Sequence, residues 1–226
     1  MGEPKYLLGN VRDYLAWDDN DWDKFSRFWE NLPRDQHMAD GGTYRRRKYT
    51  TISYHLDDKT IEVLDQDGFL QSKEINKLNG GVTRRFEPID QALLDTATFR
   101  RLVEHFSNHI AETGDAQDSA TRVRQINIHQ HRIVATRGES GNPTPEGIHR
   151  DGVAHIVMMM VERENVSGGV STIYDNDQTP IMSQTLTRPG DFIYLDDATC
   201  MHSASPVEAV AAYAEGHRDM FFLEFC

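Results

Sequence analysis

The chain has 226 residues and a mass of 25.9 kDa, a length that suits one domain, or one domain with a modest extension. Hydrophobic residues make up 38 % and include 10 Phe, 8 Tyr and 3 Trp, enough large side chains for a core and too many for a disordered chain. Thirty-six acidic against 24 basic residues give a net charge of -12, a field that repels phosphate backbones and argues against nucleic acid as a partner.

The amino terminus, residues 1–10, lacks a signal-like apolar stretch. Cys200 and Cys226 are too few for a disulfide framework, so the expected setting is reducing and cytoplasmic. The first forty residues read as helical: Trp22, Phe25 and Trp29 fall three and four apart behind cap candidates Asp19 and Asn20. Pro33 and Gly41-Gly42 end that segment. Asp13, Asp18, Asp19, Asp21 and Asp23 lack the glycine and terminal glutamate of a calcium loop and read as a solvated acidic face. From 44 to 70 the pattern is β, with Asp57-Asp58-Lys59 at a hairpin turn. The run Arg45-Arg46-Arg47-Lys48 there reads as charge blunting a sheet edge.

A second helix is predicted over about 90–111, with Leu94, Leu102, Phe106 and Ile110 on one face and Gly114 closing it. Residues 123–135 then alternate. Ile126 and Ile128 lie on one side; Gln125, Asn127, His129 and His131 lie on the other, a polar face suited to a pocket. A Gly/Pro loop, 137–147, leads to a strand over 149–161, whose apolar run 156–161 is far shorter than the roughly 20 residues of a membrane helix. Met158, Met159 and Met160 read as core packing. Further strands are expected at 170–174, around Leu186, at 192–195 and at 219–225. Helices early and strands late imply helices on an antiparallel β-core, either a jelly roll or another closed sheet.

His149-Arg150-Asp151 carries the chemistry. Residues i and i+2 of a strand share a face, so the imidazole and carboxylate project together and can take two positions on a divalent metal. The triplet alone is a weak signal, because 10 His and 22 Asp in this chain give about one His-x-Asp by chance. Three occur, at His55, His149 and His217. The first runs into a polar turn, and the last has no histidine after it. The middle one opens an apolar strand, and downstream the turn and strand 188–195 lead to His202. That second imidazole completes a three-ligand face with open positions, the arrangement of non-haem Fe(II). Arg218 follows on the last strand. A buried arginine is costly there unless an anion pairs with it, and a dicarboxylate co-substrate supplies that anion in a two-point contact.

The segments PEGIHRDG, ENVSGG, RPGDFIYLDD, MHSASPV and GHRDMFFLEF resemble one group of 2-oxoglutarate- and Fe(II)-dependent dioxygenases. That group includes bacterial isoleucine dioxygenases, which hydroxylate free L-amino acids, and relatives linked to biofilm and stress phenotypes. The resemblance is good over about 122–225 and loose before that. It implies a mainly β fold with flanking helices, the double-stranded β-helix or cupin-like jelly roll, buttressed by N-terminal helices. It also implies one dioxygenase domain over 1–226, with 1–120 as support and 121–226 carrying the metal site. His149, Asp151 and His202 become the iron ligands and Arg218 the partner of the 2-oxoglutarate C5 carboxylate, with O2 as oxidant. His217 belongs to the segment that supplies the arginine.

The activity implied is hydroxylation of a small molecule, a free aliphatic L-amino acid, with release of succinate and CO2. Two alternatives stand beside it: a cupin-like metalloenzyme that does not use 2-oxoglutarate, and a non-catalytic ligand-binding jelly roll. No motif pins the substrate residues. Candidate walls are Gln125, Asn127, His129, His131, His155 and the loop 137–148, which is long enough to act as a lid; Arg137 and Glu146 are candidates for a substrate carboxylate and ammonium. Cys200 shares strand parity with His202 but reads as a plain buried thiol.

Overall fold

A computed structural model describes residues 5–65, 68–75, 78, 80–114, 116–211 and 214–226. Its long strands alternate between two environments. Seven form one antiparallel sheet, in the order β1 (Tyr6–Asn10), β9 (Asp191–Asp196), β5 (His155–Glu164), β12 (Gly216–Phe225), β4 (Val123–Ala135), β2 (Arg45–His55) and β3 (Ile61–Leu64). A second sheet has β10 (Met201–Ala204), β7 (Ser171–Tyr174) and β8 (Pro180–Gln184), and β6 (Val166–Gly168) pairs with β11 (Val207–Ala209). The two larger sheets share no strand and close on each other through side chains. Ile156, Met158, Met160, Ile193 and Met220 meet Ile173 and Cys200 in one buried cluster. The result is an open double-stranded β-helix.

The other face of the large sheet carries the helices α1 (Asp19–Ser26), α2 (Gln91–Leu94), α3 (Ala97–Thr113) and α4 (Ala116–Ala120). Phe25, Trp29, Phe99 and Phe106 are completely or almost completely buried against Ile126, Ile128, Phe192, Phe221 and Leu223, each such ring contributing about 2–3 kcal/mol of burial. Phe25 meets Phe221 edge-on at 5.3 Å. Trp29 also ties this layer to the sheet by a polar contact: its Nε1–H is shared between the carbonyls of His131 and Met220, both at 3.2 Å. Met220 lies at a register shift between β12 and β5.

Several expectations need correction. The amino-terminal segment opens with an edge strand, β1, before its helix. Asp18, not Asp19 or Asn20, caps α1, accepting from the amides of Asn20 and Asp21. The helix expected over 90–111 is broken at Thr96, whose hydroxyl donates to the Leu93 carbonyl and accepts from the Phe99 amide, ending one helix and capping the next. The strand expected from residue 149 starts at His155. The strand expected at Leu186 ends at Gln184. The basic run is not an open edge: there β2 pairs with β4 on one side and with residues 33–35 on the other, through an Arg34–Arg46 bridge, and Arg45 and Arg47 are buried while Arg46 and Lys48 point away. Among the described residues no helix is long and apolar enough to cross a membrane.

Candidate metal centre

Parity along the strands decides what faces the space between the sheets. In register, Arg45 pairs with Ile133 and Ile133 with Arg218; Arg47 pairs with His131 and His131 with Met220. Tyr49, His129 and Phe222 form the next row, and Thr51, Asn127 and Glu224 the last. This inner face and the second sheet enclose a pocket to which His149, Asp151, His202 and Arg218 all contribute.

His149 is not inside a long strand. A short bridge joins it to His202: each amide donates to the other's carbonyl, at 3.0 and 2.9 Å. The rings therefore lie side by side, 4.3 Å between centroids. His149 Nδ1 is 3.0 Å from the Gly147 carbonyl, which fixes the proton there and leaves Nε2 with its lone pair free. Asp151 reaches across both rings: Oδ1 is 3.7 Å from His149 Nε2, and Oδ2 is 3.4 Å from His202 Nε2. One ligand atom from each residue lies within 4.8 Å of the others.

Two nitrogens and one oxygen at this spacing fit a single first-row ion, for which bonds of about 2.1 Å place neighbouring ligands about 3–3.5 Å apart. Burial opposes a charge on His149, but Asp151 and Glu146 outweigh it and raise its pKa. Burial, with His149 beside it, pushes His202 down to about 4 and keeps it the neutral ligand form. Behind the carboxylate stands Asp197, buried, accepting the amides of Asp151, Gly152 and Val153 at 3.3, 2.7 and 3.2 Å. Burial and the neighbouring Asp151 raise Asp197 to about 7.

Arg218 is 3 % exposed. Its Nη2 donates weakly to Ser171 Oγ at 3.4 Å, its Nε has no partner, and no carboxylate lies within 4.0 Å among the described residues. Burial, with Arg163 nearby, lowers its pKa to about 10. A guanidinium left this way in a pocket suits a carboxylate brought in by a ligand. Gly169 makes room for it: at φ +65° it adopts a conformation that favours glycine, and a Cβ there would stand 3.0 Å from Arg218 Cδ. This is a physical reason for the second glycine of ENVSGG.

The remaining candidates divide. His129 and His131 line the pocket, and Asn127 is buried on the same face. Gln125 is exposed. His155 faces the helices, with its ring hydrogen-bonded to Tyr194 and Asp118; its parity with Asp151 fails because Asp151 lies in a loop. From the loop 137–148, Pro143, Thr144 and Glu146 reach the pocket, and Arg137 is exposed. Cys200 is in the inter-sheet core. Met158 lines the pocket as well as packing, and Met159 packs under the helices. His217 lies with Glu162 and Glu164 in a second, more exposed cluster away from the pocket.

Sequence reasoning missed Arg47, Gln71, Arg84, Asp197 and Glu224. The alternation of Arg45 and Arg47 with Arg46 and Lys48 was the available signal for the first. Gln71 and Arg84 come from an irregular segment without periodicity.

This jelly roll and this ligand set occur together in oxygenases that use Fe(II) with 2-oxoglutarate. Residues 26–224 match the family described as 2OG-Fe dioxygenase, and the chain belongs to that family. It is a 2-oxoglutarate-dependent dioxygenase working with Fe(II), 2-oxoglutarate and O2, which displaces both alternatives above. Among similar proteins is L-isoleucine-4-hydroxylase of Bacillus thuringiensis, 22 % identical over 185 residues, covering 81 % of this chain and 75 % of that one. The fold is shared with a bsmA homolog from Methylobium petroleophilum PM1, at 29 % identity and TM-score 0.81 over 91 % of this chain and 81 % of that one. It is also shared with IDO from Bacillus thuringiensis, at 18 % identity and TM-score 0.79 over 98 % and 90 %.

Proposed function

We propose that this dioxygenase hydroxylates a free aliphatic L-amino acid, with His149, Asp151 and His202 holding Fe(II) and Arg218 gripping the C5 carboxylate of 2-oxoglutarate. The observation that carries the reading is the pairing, in one pocket, of a three-ligand cluster with a buried guanidinium that lacks an acid. When bound, the iron and co-substrate supply the oxidation: 2-oxoglutarate and O2 become succinate and CO2, and one oxygen atom enters the substrate as hydroxyl.

The chain's own part is placement. Asp151 offsets part of the metal charge, and the neutral imidazoles leave the opposite face open for co-substrate. Arg218 sets the far end of 2-oxoglutarate, and the two packed sheets keep bulk water from the reacting carbon. Met158, Met220 and Phe222 offer apolar contact to an aliphatic side chain. Glu146 presents a buried Oε2 without a partner, an acceptor for an ammonium group. The amino-acid relatives support the substrate class, and the two unpaired cysteines suit a reducing, cytoplasmic setting.

The test is succinate release across the twenty standard L-amino acids, with product masses read for a gain of one oxygen. We expect at least one aliphatic member to stimulate release and gain 16 mass units. Arg218→Gln should raise the 2-oxoglutarate KM by about 10- to 100-fold, the worth of a charge-assisted pair. No stimulation by any amino acid overturns the substrate; an unchanged KM overturns the role of Arg218.

A further inference from the structure

Arg218 is not the only buried cation of the pocket without a counter-ion. Arg45, Arg47 and Arg84 line the same space. Arg45 is matched by Asp35, its Nε donating to the carboxylate at 2.7 Å with both side chains buried. Arg47 and Arg84 are 5 % and 3 % exposed, and neither has a carboxylate within 4.0 Å among the described residues. Their direct contacts among the described residues are with neutral groups, and Asp35 and Glu224 compensate the charge only from further off. Arg47 donates to His129 Nδ1 at 2.7 Å and lies 4.1 Å over the Phe86 ring. Arg84 donates to Gln71 Oε1 at 2.7 Å and lies 4.8 Å over Phe69. The Nε–H of each is buried without a partner. Both guanidinium groups lie near the Phe69 ring, at 5.2 and 4.8 Å, and two desolvated cations in one pocket are costly unless an anion joins them.

We propose that Arg47 and Arg84 together seat the carboxylate of the primary substrate, so that the enzyme selects small carboxylic acids and rejects their neutral amides. The inference rests on the oxygenase reading above and deepens it. 2-Oxoglutarate does not fill this seat while Arg218 and the metal hold its two ends. Arg47 stands two strands and one side-chain row from Arg218, roughly 12 Å at the backbone. The seat is also correctly placed for chemistry. Gln71 bridges it to the metal cluster: its Oε1 accepts from Arg84, and its Nε2 donates to Asp151 Oδ1 at 3.4 Å. A carboxylate on Arg84 therefore lies one amide away from a proposed metal ligand.

His129 and Glu224 hold the seat's far wall. His129 accepts from Arg47 at Nδ1, and its Nε2 stands 2.9 Å from Glu224 Oε1, a close contact without hydrogen-bond geometry. Asn127 donates to the other Glu224 oxygen at 3.4 Å and is itself fixed by Tyr49 and Thr51. The arginine is thus oriented by a chain of side chains rather than neutralised by direct contact with an acid.

The experiment is calorimetric titration of the Mn(II)- and 2-oxoglutarate-loaded protein with L-isoleucine, L-leucine, L-valine and L-methionine, each beside its carboxamide. At least one acid should bind, its amide about 10- to 100-fold more weakly. Arg47→Gln and Arg84→Gln should each weaken that acid by a similar factor, with Arg84→Lys recovering part of the loss. The 2-oxoglutarate Kd should stay within about twofold in both, whereas Arg218→Gln raises it by about tenfold or more. Arg84 lies outside the sheet, so its variants answer the question if Arg47→Gln fails to fold.

Equal binding of acid and amide, or full affinity in the Arg84 variants, overturns the seat. So does a parallel loss of 2-oxoglutarate, which would assign both arginines to the co-substrate. If 2-oxoglutarate binds but none of the four acids does, the seat fails and the oxygenase reading stands. If an acid binds through Arg84 but 2-oxoglutarate does not bind, the co-substrate assignment fails and the seat stands.

Discussion

His149 and His202 exchange both backbone hydrogen bonds across a two-residue bridge, at 3.0 and 2.9 Å. Their side-by-side rings are therefore set by main chain, which brings the two proposed ligands together. His202→Ala should remove measurable Fe(II) binding and activity while the metal-free protein keeps its midpoint of thermal unfolding within about 3 °C. Adding Fe(II) anaerobically should raise the midpoint of the parent only. A metal-free variant that is largely unfolded would show that the ring, not the bridge, holds these strands.

Asp197 controls the orientation of Asp151 from behind, by taking three consecutive amides. Asp197→Ala leaves those amides buried and lets the turn relax. Metal affinity should fall about 10- to 100-fold, the usual cost of losing an outer support. Isothermal titration with Mn(II) measures it, and an unchanged affinity would mean that the turn holds itself.

Arg132 grips Asp219 with two parallel contacts, Nε to Oδ1 at 2.7 Å and Nη2 to Oδ2 at 2.5 Å, and Asp219 is fully buried. Removing the guanidinium alone strands a buried carboxylate. Arg132→Met should cost about 3–5 kcal/mol, and the double change Arg132→Met with Asp219→Leu should recover much of it. Urea unfolding of the three proteins tests this. A double variant no better than the single one contradicts the explanation.

Asp191 links the sheet edge to the turn before β9. Burial raises its pKa, but Asn10 Nδ2 at 2.8 Å and the amides of Arg188 and Thr187 at 2.8 and 3.1 Å outweigh it, so the net shift is downward. A depressed folded-state value contributes stability above the ordinary carboxylate range and loses it as pH falls through the folded value. Asp191→Asn should cost about 1–2 kcal/mol at pH 7, and the gap from the parent should shrink as the pH is taken below 3.8. Denaturant unfolding at the two pH values is the measurement; a constant gap would point to packing instead.

How much was legible in the chain follows from the range of each interaction. Strand β4 was bounded to the residue because alternation is a local property, fixed by the pleat. The turn at Asp57-Asp58-Lys59 was likewise local, and Lys59 takes a positive φ there. The ordered motifs of the last hundred residues carried the resemblance to iron oxygenases, and they nominated His149, Asp151, His202 and Arg218 together.

Periodicity alone did not say which face of a strand is inside, since alternation reads the same from either side. Burial of Arg45 and Arg47 came from the place of β2 in the fold, with β4 on one side of it and residues 33–35 on the other. His155 went to the helix side by the same rule once Asp151 proved to be in a loop. Arg84 and Gln71 reach the pocket from an irregular segment, where no repeat ties sequence to direction. What the amino-acid order determined was the local elements and the chemical cast. Which cations share one water-poor space was decided by the tertiary fold, through strand pairing for Arg45, Arg47 and Arg218 and through loop placement for Arg84, because only the fold sets distance between residues far apart in the chain.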